Sequence, residues 1–373
     1  MSSVRAAVMT APGKIEIREV AWPTVPDDCF LMKVDELGLC GSDKHMYLGH
    51  MQVPFPVVFG HEAVGHIAKL GSKANDSMNI IGGPLQEGDA VIIVPSSDAC
   101  HHCTMCLHAP DRPYLCPNRE VHGFLNLSGP EDLRGGSAEY MIIRPRSWVF
   151  KAPADLPAER RVLAEPAAVA TRAVEKALMP GLPTSGSGLG IGKSVVVQGV
   201  GPIGLLIVAV LRYAGAGQII ATDSVNSRLE MASKLGATEL LNITSSNVAQ
   251  RMERVRALTE GLGADVVIEA AGVPAAFAES LQLVRRGGIV IEIGHYTDSG
   301  AVEIHPWTIC NKDLDVRGVW AYPQMQFEPA LRFLAGCTLP LESIISHRIP
   351  LDDVAHGLDL MGTEGVLKVV VTP

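Results

Sequence analysis

The second half of the chain has its strongest indication of fold in the segment Ser194-Val-Val-Val-Gln-Gly199-Val-Gly201-Pro-Ile-Gly204. Its unbroken apolar run predicts a strand buried on both faces, and the glycines form a G-x-G-x-x-G pattern where a predicted helix over 202–214 begins. In this pattern Gly199 permits a tight turn, Gly201 lets the backbone approach a pyrophosphate, and Gly204 lets the helix pack closely on the strand. The segment therefore predicts a dinucleotide-binding turn.

The residues around this turn extend the prediction to a cofactor. Pro202 and Ile203 begin the helix, whose N terminus offers amide hydrogens and a positive dipole end to a phosphate. Asp223 lies nineteen residues after Gly204, at the end of the next predicted strand. A carboxylate there binds ribose hydroxyls and repels a 2′-phosphate, which favours NAD over NADP, although Arg228 would offset this preference if it turned inward. The alternative is that the glycines only permit packing and that Asp223 only caps a helix.

The chain around this segment alternates between strands and helices. Such alternation, with doubly buried strands, predicts a doubly wound α/β domain with a parallel sheet and helices on both faces. The predicted strands are 194–199, 218–223, 239–242, 265–270 and 288–294, and the predicted helices are 202–214, 226–235, 247–260 and 275–284.

The rest of the chain reads differently. Residues 1–165 contain short β-like runs separated by Gly and Pro, which predicts a small barrel-like β fold. A Pro/Gly/Ser-rich stretch at 180–192 predicts a surface loop or linker. The tail from about residue 317 mixes helical stretches at 327–334 and 351–361 with a last strand at 367–371.

Composition limits the possible functions. The chain has 373 residues, enough for two domains, and its net charge is −9 with no basic run, which disfavours nucleic-acid binding. The longest apolar runs are far shorter than the roughly 18 residues of a membrane span. The N terminus has no signal-peptide pattern, so the sequence predicts a cytoplasmic protein without a membrane partner.

Four cysteines within seventeen residues predict a metal site: Cys100, Cys103, Cys106 and Cys116. Four thiolates complete a tetrahedron around zinc and leave no open position, so the sequence predicts a structural zinc. The histidines at 101, 102 and 108 are expected not to be ligands. The scattered cysteines elsewhere do not suggest disulfides in a reducing compartment.

A second group of residues is less decisive taken alone. Cys40 is followed by Gly-Ser42-Asp43 and then by His45, and the segment Gly60-His61-Glu62 follows twenty residues later. Each residue has an ordinary alternative: Cys40 as a buried thiol, His61 as a core histidine and His45 as a surface histidine.

Together these motifs resemble the zinc-dependent medium-chain dehydrogenases of the alcohol dehydrogenase superfamily, especially the sorbitol and threonine dehydrogenase branch. The resemblance rests on five motifs: Cys40-Gly-Ser-Asp, Gly60-His-Glu, the cysteine loop, Leu163-Ala-Glu165-Pro166 and Gly199-Val-Gly-Pro-Ile-Gly204. The resemblance covers essentially the whole chain. It implies a GroES-like β-barrel catalytic domain, 1–166 and 317–373, and a Rossmann domain, 167–316.

The resemblance also implies roles for individual residues. Cys40 and His61 bind a catalytic zinc, and the sequence cannot choose between Glu62 and Glu165 as a further ligand. Ser42 takes the hydroxyl proton of the substrate, which then passes through the nicotinamide ribose to His45 and solvent. Gly294 ends a strand where the family binds the cofactor. In one respect the chain departs from the family, because nine residues separate Cys106 from Cys116 where seven are usual.

The predicted function is hydride transfer between NAD and a secondary alcohol or its ketone, such as a polyol, amino alcohol or cyclic alcohol. Two zinc ions per chain and a homodimer or homotetramer are expected, with the segment 314–320 as a possible pairing edge. Two alternatives are a reductase acting mainly on ketones or aldehydes, and an inactive zinc-binding relative with a structural or regulatory role.

Overall fold

The computed structural model describes residues 3–178 and 189–373, and the predicted loop at 180–192 lies mostly outside them. The chain divides into two compact units. The first, called the barrel unit here, comprises Met1–Glu165, Pro323–Ala335 and Ile345–Pro373, and the second, the parallel-sheet unit, comprises Pro166–Tyr322 and Gly336–Ile344. The second unit extends past the expected boundary at 316 because residues 317 and 318 belong to the last strand of its sheet.

The elements are numbered in chain order. The strands are β1 Ser3–Ala11, β2 Lys14–Ala21, β3 Phe30–Gly38, β4 Val57–Val58, β5 Glu62–Leu70, β6 Asn79–Ile81, β7 Ala90–Ile93, β8 Tyr140–Ile143, β9 Trp148–Lys151, β10 Ser194–Gln198, β11 Gln218–Asp223, β12 Glu239–Asn242, β13 Ala264–Glu269, β14 Val284–Glu292, β15 Asp315–Gly318, β16 Ile345–Pro350 and β17 Lys368–Thr372. The helices are α1 Gly41–Tyr47, α2 Ala74–Ser77, α3 Thr104–His108, α4 Ala164–Leu178, α5 Pro202–Tyr213, α6 Asn226–Lys234, α7 Val248–Leu258, α8 Pro274–Leu283, α9 Pro306–Lys312, α10 Phe327–Gly336 and α11 Val354–Leu360.

The barrel unit contains two sheets. A three-stranded sheet has the order β2-β1-β4, and a larger one runs β16-β17-β3-β5-β7-β9-β6, with β8 paired to β3. Strand β3 pairs with β5, β8 and β17, so it lies at the centre of the larger sheet. Glycine is required at position 65, where β5 pairs with β3, because a Cβ there would lie 1.9 Å from the Lys33 carbonyl oxygen. The core includes Phe30, Met32 and Phe59.

The parallel-sheet unit confirms the predicted alternation of strands and helices. Its sheet has the order β12-β11-β10-β13-β14-β15, and every neighbouring pair is parallel. Strand β10 is buried along its whole length, as its apolar run predicts, and helix α5 follows it with Pro202 in its first turn. The change in strand order between β10 and β13 creates a crevice at the carboxyl ends of these strands, where open α/β sheets bind their ligands.

Several elements were not anticipated. Helix α1 is short and mostly polar, so it has no strong hydrophobic period. Strand β2 was missed although Ile15 and Ile17 alternate with charged residues. Helix α4 was also missed, although its apolar residues follow a helical period. The cysteine loop contains the short helix α3 and a 3-10 helix, Pro113–Leu115.

Candidate functional site: two zinc-type clusters and a dinucleotide turn

The four loop cysteines converge as predicted. Their sulfur atoms all lie within 4.8 Å of one another, with 3.5 Å between Cys103 and Cys106 and 3.9 Å between Cys100 and Cys106. The cluster forms its own small apolar core with the buried Ala99. None of the four forms a disulfide, and four thiolates at this separation fit one tetrahedral zinc ion.

Hydrogen bonds around Cys100 favour its thiolate form. The Asn118 side-chain amide donates to the Cys100 sulfur at 3.4 Å, and so does the Cys103 backbone amide. With a further backbone bond from His102, these donors lower the pKa of Cys100 to about 5. Asn118 is therefore a supporting residue of this cluster, a role the sequence did not indicate.

The neighbouring histidines bind other groups. His101 lies 3.0 Å from Asp98, while His102 and His108 bind backbone carbonyl oxygens through Nδ1 at 2.7 and 2.9 Å. The longer gap before Cys116 is taken up by the 3-10 helix that directly precedes it, so the extra residues do not prevent Cys116 from joining the cluster.

A second cluster forms at Cys40, His61 and Glu62, whose donor atoms also lie within 4.8 Å of one another. Cys40 is the N-cap residue of α1, and Glu62 is the first residue of β5. His61 and Glu62 are buried and Cys40 is half-buried. The fold thus brings Cys40 together with donors that lie 21 and 22 positions later in the sequence.

Asp43 links the two halves of this second cluster. Its Oδ2 accepts a hydrogen bond from the Cys40 backbone amide at 2.8 Å, and its Oδ1 lies 3.7 Å from His61 Nδ1. Burial lowers the pKa of His61, but the thiol of Cys40 and the carboxylate of Asp43 outweigh this and raise it. A site that stabilises positive charge on His61 so strongly also fits a bound cation.

Lys368 is the site residue that sequence reasoning missed. It is 2% exposed, forms an ion pair with Glu62, and donates from Nζ to the Leu39 carbonyl oxygen at 2.9 Å. Its pKa is raised: burial opposes the charge, but Glu62, Cys40 and Glu165 outweigh it. The sequence offered one indication of this role: Lys368 is the first residue of β17, directly before three valines. A lysine in a buried strand needs a partner for its charge.

The two glutamates considered as ligands take different positions. Glu62 belongs to the converging set with Cys40 and His61, and Glu165 does not. Glu165 lies in the first turn of α4, where it is half-buried and acts electrostatically on Lys368.

Helix α1 carries the polar residues of the predicted proton path. The Ser42 side chain is buried, and its hydroxyl has no hydrogen-bond partner among the described residues. One turn further on, His45 Nδ1 lies 3.4 Å from His50 Nδ1. Burial, followed by the charges of His50 and Lys44, lowers the pKa of His45, so its neutral form is favoured at neutral pH.

The dinucleotide turn has the geometry that its glycines predict. Gly199 has a φ of +79°, and a Cβ there would lie 2.5 Å from Ala271 Cα. A Cβ on Gly204 would lie 1.9 Å from the Gly199 carbonyl oxygen. In contrast, no atom lies within 4 Å of the Cβ position at Gly201, so this backbone faces open space at the N terminus of α5. Space at this point fits a pyrophosphate group.

Asp223 is buried at the end of β11. Its Oδ2 accepts a hydrogen bond from the Val200 amide at 2.9 Å, and its Oδ1 accepts one from Val225 at 3.0 Å. Arg228 turns inward, with Nη1 3.7 Å from Asp223 Oδ1. Pro202 and Ile203 are half-buried at the start of α5. Gly294 follows β14, where a Cβ would lie 2.2 Å from Glu269 Oε2.

These features define a class: an oxidoreductase with a barrel-type β unit, two zinc-type clusters and a dinucleotide-binding parallel sheet. The comparisons with known proteins agree. Residues 26–154 match the family described as alcohol dehydrogenase GroES-like domain, and residues 202–336 match the family described as zinc-binding dehydrogenase.

The full-length similarities are equally consistent. The chain is 31% identical to sorbitol dehydrogenase of Bacillus subtilis, covering 100% of this chain and 98% of the relative. It is 29% identical to L-threonine 3-dehydrogenase of Shewanella baltica, covering 98% and 99%. The crystal structure of an alcohol dehydrogenase from Thermotoga maritima superposes with a TM-score of 0.90 at 28% identity, covering 100% and 99%. The chain belongs to the zinc-dependent medium-chain dehydrogenases of the alcohol dehydrogenase superfamily.

The family membership establishes the general activity. The protein is a zinc-containing oxidoreductase that transfers hydride between NAD and an alcohol or its ketone. Among the residues that the structure describes, no helix has the length and apolar character needed to cross a membrane.

Proposed function

We propose that the enzyme oxidises secondary alcohols that carry a neighbouring polar group, such as polyols and amino alcohols, at a catalytic zinc held by Cys40, His61 and Glu62. The observation that carries this proposal is the convergence of these three donors around one point, with the buried Ser42 two residues after Cys40 in α1. Sorbitol and threonine, named in the relatives, both present a secondary hydroxyl beside polar groups.

The donor set suits this chemistry. One thiolate, one imidazole and one carboxylate make a harder ligand set than two thiolates and an imidazole. Asp43 faces Nδ1 of His61, which leaves Nε2 as the nitrogen that binds the metal. When bound, the zinc supplies a Lewis acid that lowers the pKa of the substrate hydroxyl, and NAD supplies the hydride acceptor.

The chain's own residues move the proton. Ser42 accepts the hydroxyl proton of the substrate, for which its buried oxygen is free among the described residues. His45 takes up the proton further along α1 and passes it to solvent, assisted by its lowered pKa and its contact with His50. General base action of this kind contributes roughly 10²- to 10⁴-fold to rate.

Glu62 is proposed as the third protein ligand in preference to Glu165, because only Glu62 belongs to the converging set. The four loop cysteines are proposed to hold a structural zinc that has no open position. Zinc analysis of Glu62→Gln and Glu165→Gln separates the two glutamates: the ligand variant loses about one of two zinc ions per chain, and the other retains both.

In the proposed dinucleotide site, Gly199, Gly201, Pro202, Ile203 and Gly204 receive the pyrophosphate, and Gly294 borders the same carboxyl edge of the sheet. Asp223 favours NAD over NADP, since its carboxylate repels a 2′-phosphate. Arg228 offsets part of this repulsion, because it lies 3.7 Å from Asp223. A comparison of KM for NAD and NADP in the wild type and in Arg228→Gln tests the assignment, and the variant should discriminate more strongly against NADP.

The oligomeric state and location complete the proposal. Strand β15 lies at the edge of the parallel sheet, and Val316 and the nearby Trp320 are exposed, which supports pairing of two such edges in a homodimer or homotetramer. Eight free cysteines support a reducing, cytoplasmic location.

The test is an assay of NADH absorbance with a panel of polyols, diols, L-threonine and primary alcohols, with zinc measured on the same sample. Turnover should be fastest with secondary alcohols that have a polar neighbour. The ketone products are assayed in the reverse direction. Faster turnover with a simple primary alcohol would overturn the proposed substrate class.

A further inference from the structure

A row of polar side chains crosses the centre of the parallel sheet at its carboxyl edge. Gln198 on β10 is in register with Glu269 on β13, and Glu269 is in register with Glu292 on β14. Residues paired in a parallel ladder point to the same face of the sheet, so these three side chains lie side by side. All three belong to the parallel-sheet unit, whereas the residues of both zinc-type clusters belong to the barrel unit.

The row contains buried oxygen atoms without hydrogen-bond partners among the described residues. These atoms are Gln198 Oε1, Glu269 Oε2 and Glu292 Oε2. Glu269 is 0% exposed and Gln198 3%. A buried oxygen that accepts no hydrogen bond is costly, so three such acceptors in one row call for a further partner, either a proton shared by the two carboxylates or a cation.

His295 alone does not satisfy this row. Its Nδ1 lies 2.8 Å from Glu292 Oε1 and 3.6 Å from Glu269 Oε2. One ring nitrogen carries one hydrogen, so it binds Glu292 and leaves Glu269 Oε2 without a donor. In the described part of the chain, His295 is the only basic side chain within 4 Å of either carboxylate. Burial, and then the charge of Glu292, raise the pKa of Glu269 to about 8.

The backbone fixes Glu269 in this position. Its Oε1 accepts hydrogen bonds from the amides of Ala271 and Gly272, both at 2.9 Å. Its Oε2 therefore points toward Glu292 and His295, and Gly294 leaves room for it, since a Cβ there would lie only 2.2 Å away. The same turn packs against the phosphate-binding turn, because Ala271 occupies the Cβ position of Gly199.

We propose that Glu269, Glu292 and His295 form a third metal site, which binds a divalent transition-metal ion of the Mn²⁺ type. One imidazole nitrogen and two carboxylate oxygens lie within 4.8 Å of one another. Donors bound to one ion at about 2.1 Å lie about 3–4 Å apart, so a small contraction suffices. Carboxylates with one imidazole suit such ions better than the thiolate-rich clusters do. The ion joins the ends of β13 and β14 beside the cofactor turn.

The test is a titration of the zinc-loaded enzyme with Mn²⁺ at mildly alkaline pH, followed by electron paramagnetic resonance of the free ion. Mn²⁺ is the weakest binder of the first-row series, so zinc stays in the sites containing cysteine. We expect one saturable Mn²⁺ per chain. Glu292→Gln and His295→Gln should each weaken binding at least about tenfold, while Glu230→Gln, an exposed change on α6, leaves it unchanged.

A thermal melt checks that each variant is folded and provides a second readout. Mn²⁺ should raise the melting temperature of the wild type and of Glu230→Gln by about 2 °C, and should not raise that of the two site variants. The absence of saturable binding in the wild type, or equal binding by all variants, overturns the proposal. The alternative is that Glu269 and Glu292 share a proton and bind no metal. It is indicated if the wild type binds no Mn²⁺ and Glu292→Gln has a higher melting temperature than the wild type, and this result also overturns the proposal.

Discussion

The barrel unit holds two metal clusters that are built in different ways. The cysteine cluster takes all four donors from one loop of seventeen residues, 100–116. The second cluster takes Cys40 from the cap of α1, His61 and Glu62 from the start of β5, and its supporting Lys368 from β17. The first cluster has the four donors of a closed tetrahedral zinc site, whereas the second has three mixed donors, the number that catalytic zinc sites take from the protein. Under the proposed function, the loop cluster stabilises structure and the cluster of Cys40, His61 and Glu62 carries the chemistry.

Removing one thiolate from each cluster is the most direct test of whether the two clusters differ in role. Cys40→Ser should reduce kcat/KM by on the order of 10³-fold or more, since Lewis-acid stabilisation is worth several kcal/mol in the transition state. Cys103→Ser should keep most of its activity below its unfolding temperature but melt about 10 °C lower, because structural zinc contributes folding energy. Steady-state kinetics, zinc content and thermal melts are measured on both variants.

Each variant serves as the control for the other. Both should lose about one of two zinc ions per chain, so zinc content alone does not distinguish them. The assignment of roles would be wrong if Cys40→Ser retained full activity, or if Cys103→Ser abolished activity while its melting temperature stayed unchanged.

The same difference explains how much the sequence could predict. The four loop cysteines are close in sequence, so spacing alone was enough to predict their convergence. The strand–helix alternation of the second half was equally readable, because its apolar periods are strong. Lys368 could not be paired with Glu62 in this way, because the two are far apart in sequence. The pairings of β17 with β3 and of β3 with β5 bring them together.

The choice between Glu62 and Glu165 was also beyond the sequence, because both lie in plausible motifs. The fold places Glu62 beside His61 at the start of β5, and it places Glu165 outside the converging set, in the first turn of α4. The 3-10 helix before Cys116 likewise could not be foreseen, although it explains how a loop of unusual length still closes the cysteine cluster.

A second prediction concerns the buried ion pair between Lys368 and Glu62. This pair supports the second cluster, formed by Cys40, His61 and Glu62 and called the open cluster from here on. In the enzyme stripped of zinc by a chelator, Lys368→Met should lower the free energy of unfolding by about 3 kcal/mol, because it leaves the buried Glu62 carboxylate without a cation. Lys69→Met, a change of the same kind at an exposed position of β5, should have little effect. Chemical denaturation of both variants measures the difference.

Charge-conserving replacement refines this test. Lys368→Arg keeps a cation next to Glu62 and should recover part of the lost stability. Equal destabilisation by the methionine and arginine variants would mean that the volume of the lysine side chain, and not its charge, supports the cluster. The cysteine cluster has no comparable lysine partner among the described residues, so this dependence should be confined to the open site.

A third prediction addresses the hydroxyl beside the open cluster. Ser42→Ala should lower kcat by about 10²-fold, which is the lower range for loss of a positioned acid–base group. Zinc content should remain at two ions per chain, because Ser42 contributes no donor to either cluster. Ser42→Thr retains a hydroxyl and should recover much of the rate. Unchanged kcat in Ser42→Ala would remove Ser42 from the proton path.

The smallest expected effect concerns His45, on α1, and His50, which follows this helix. It tests whether a proton released at the open cluster reaches solvent through His45. His45 accepts a proton only in its neutral form, so activity is lost on the acid side as pH falls through its pKa. Burial, then His50 and Lys44, lower this pKa below 6.5. His50→Gln removes one of these influences, so the pKa of His45 should rise and the acid limb of kcat should move to higher pH.

The direction of this shift makes the test specific. A variant that merely disturbs α1 would lower kcat at every pH without moving the limb. His45→Gln should remove the limb and lower kcat by about tenfold, the effect of one lost proton-transfer step that water partly replaces. Profiles of kcat between pH 5 and 9, measured for the two variants and the wild type, distinguish these outcomes. A limb that moves to lower pH in His50→Gln would show that His50 does not act on His45 through charge, and the proposed path would then have to leave the cluster elsewhere.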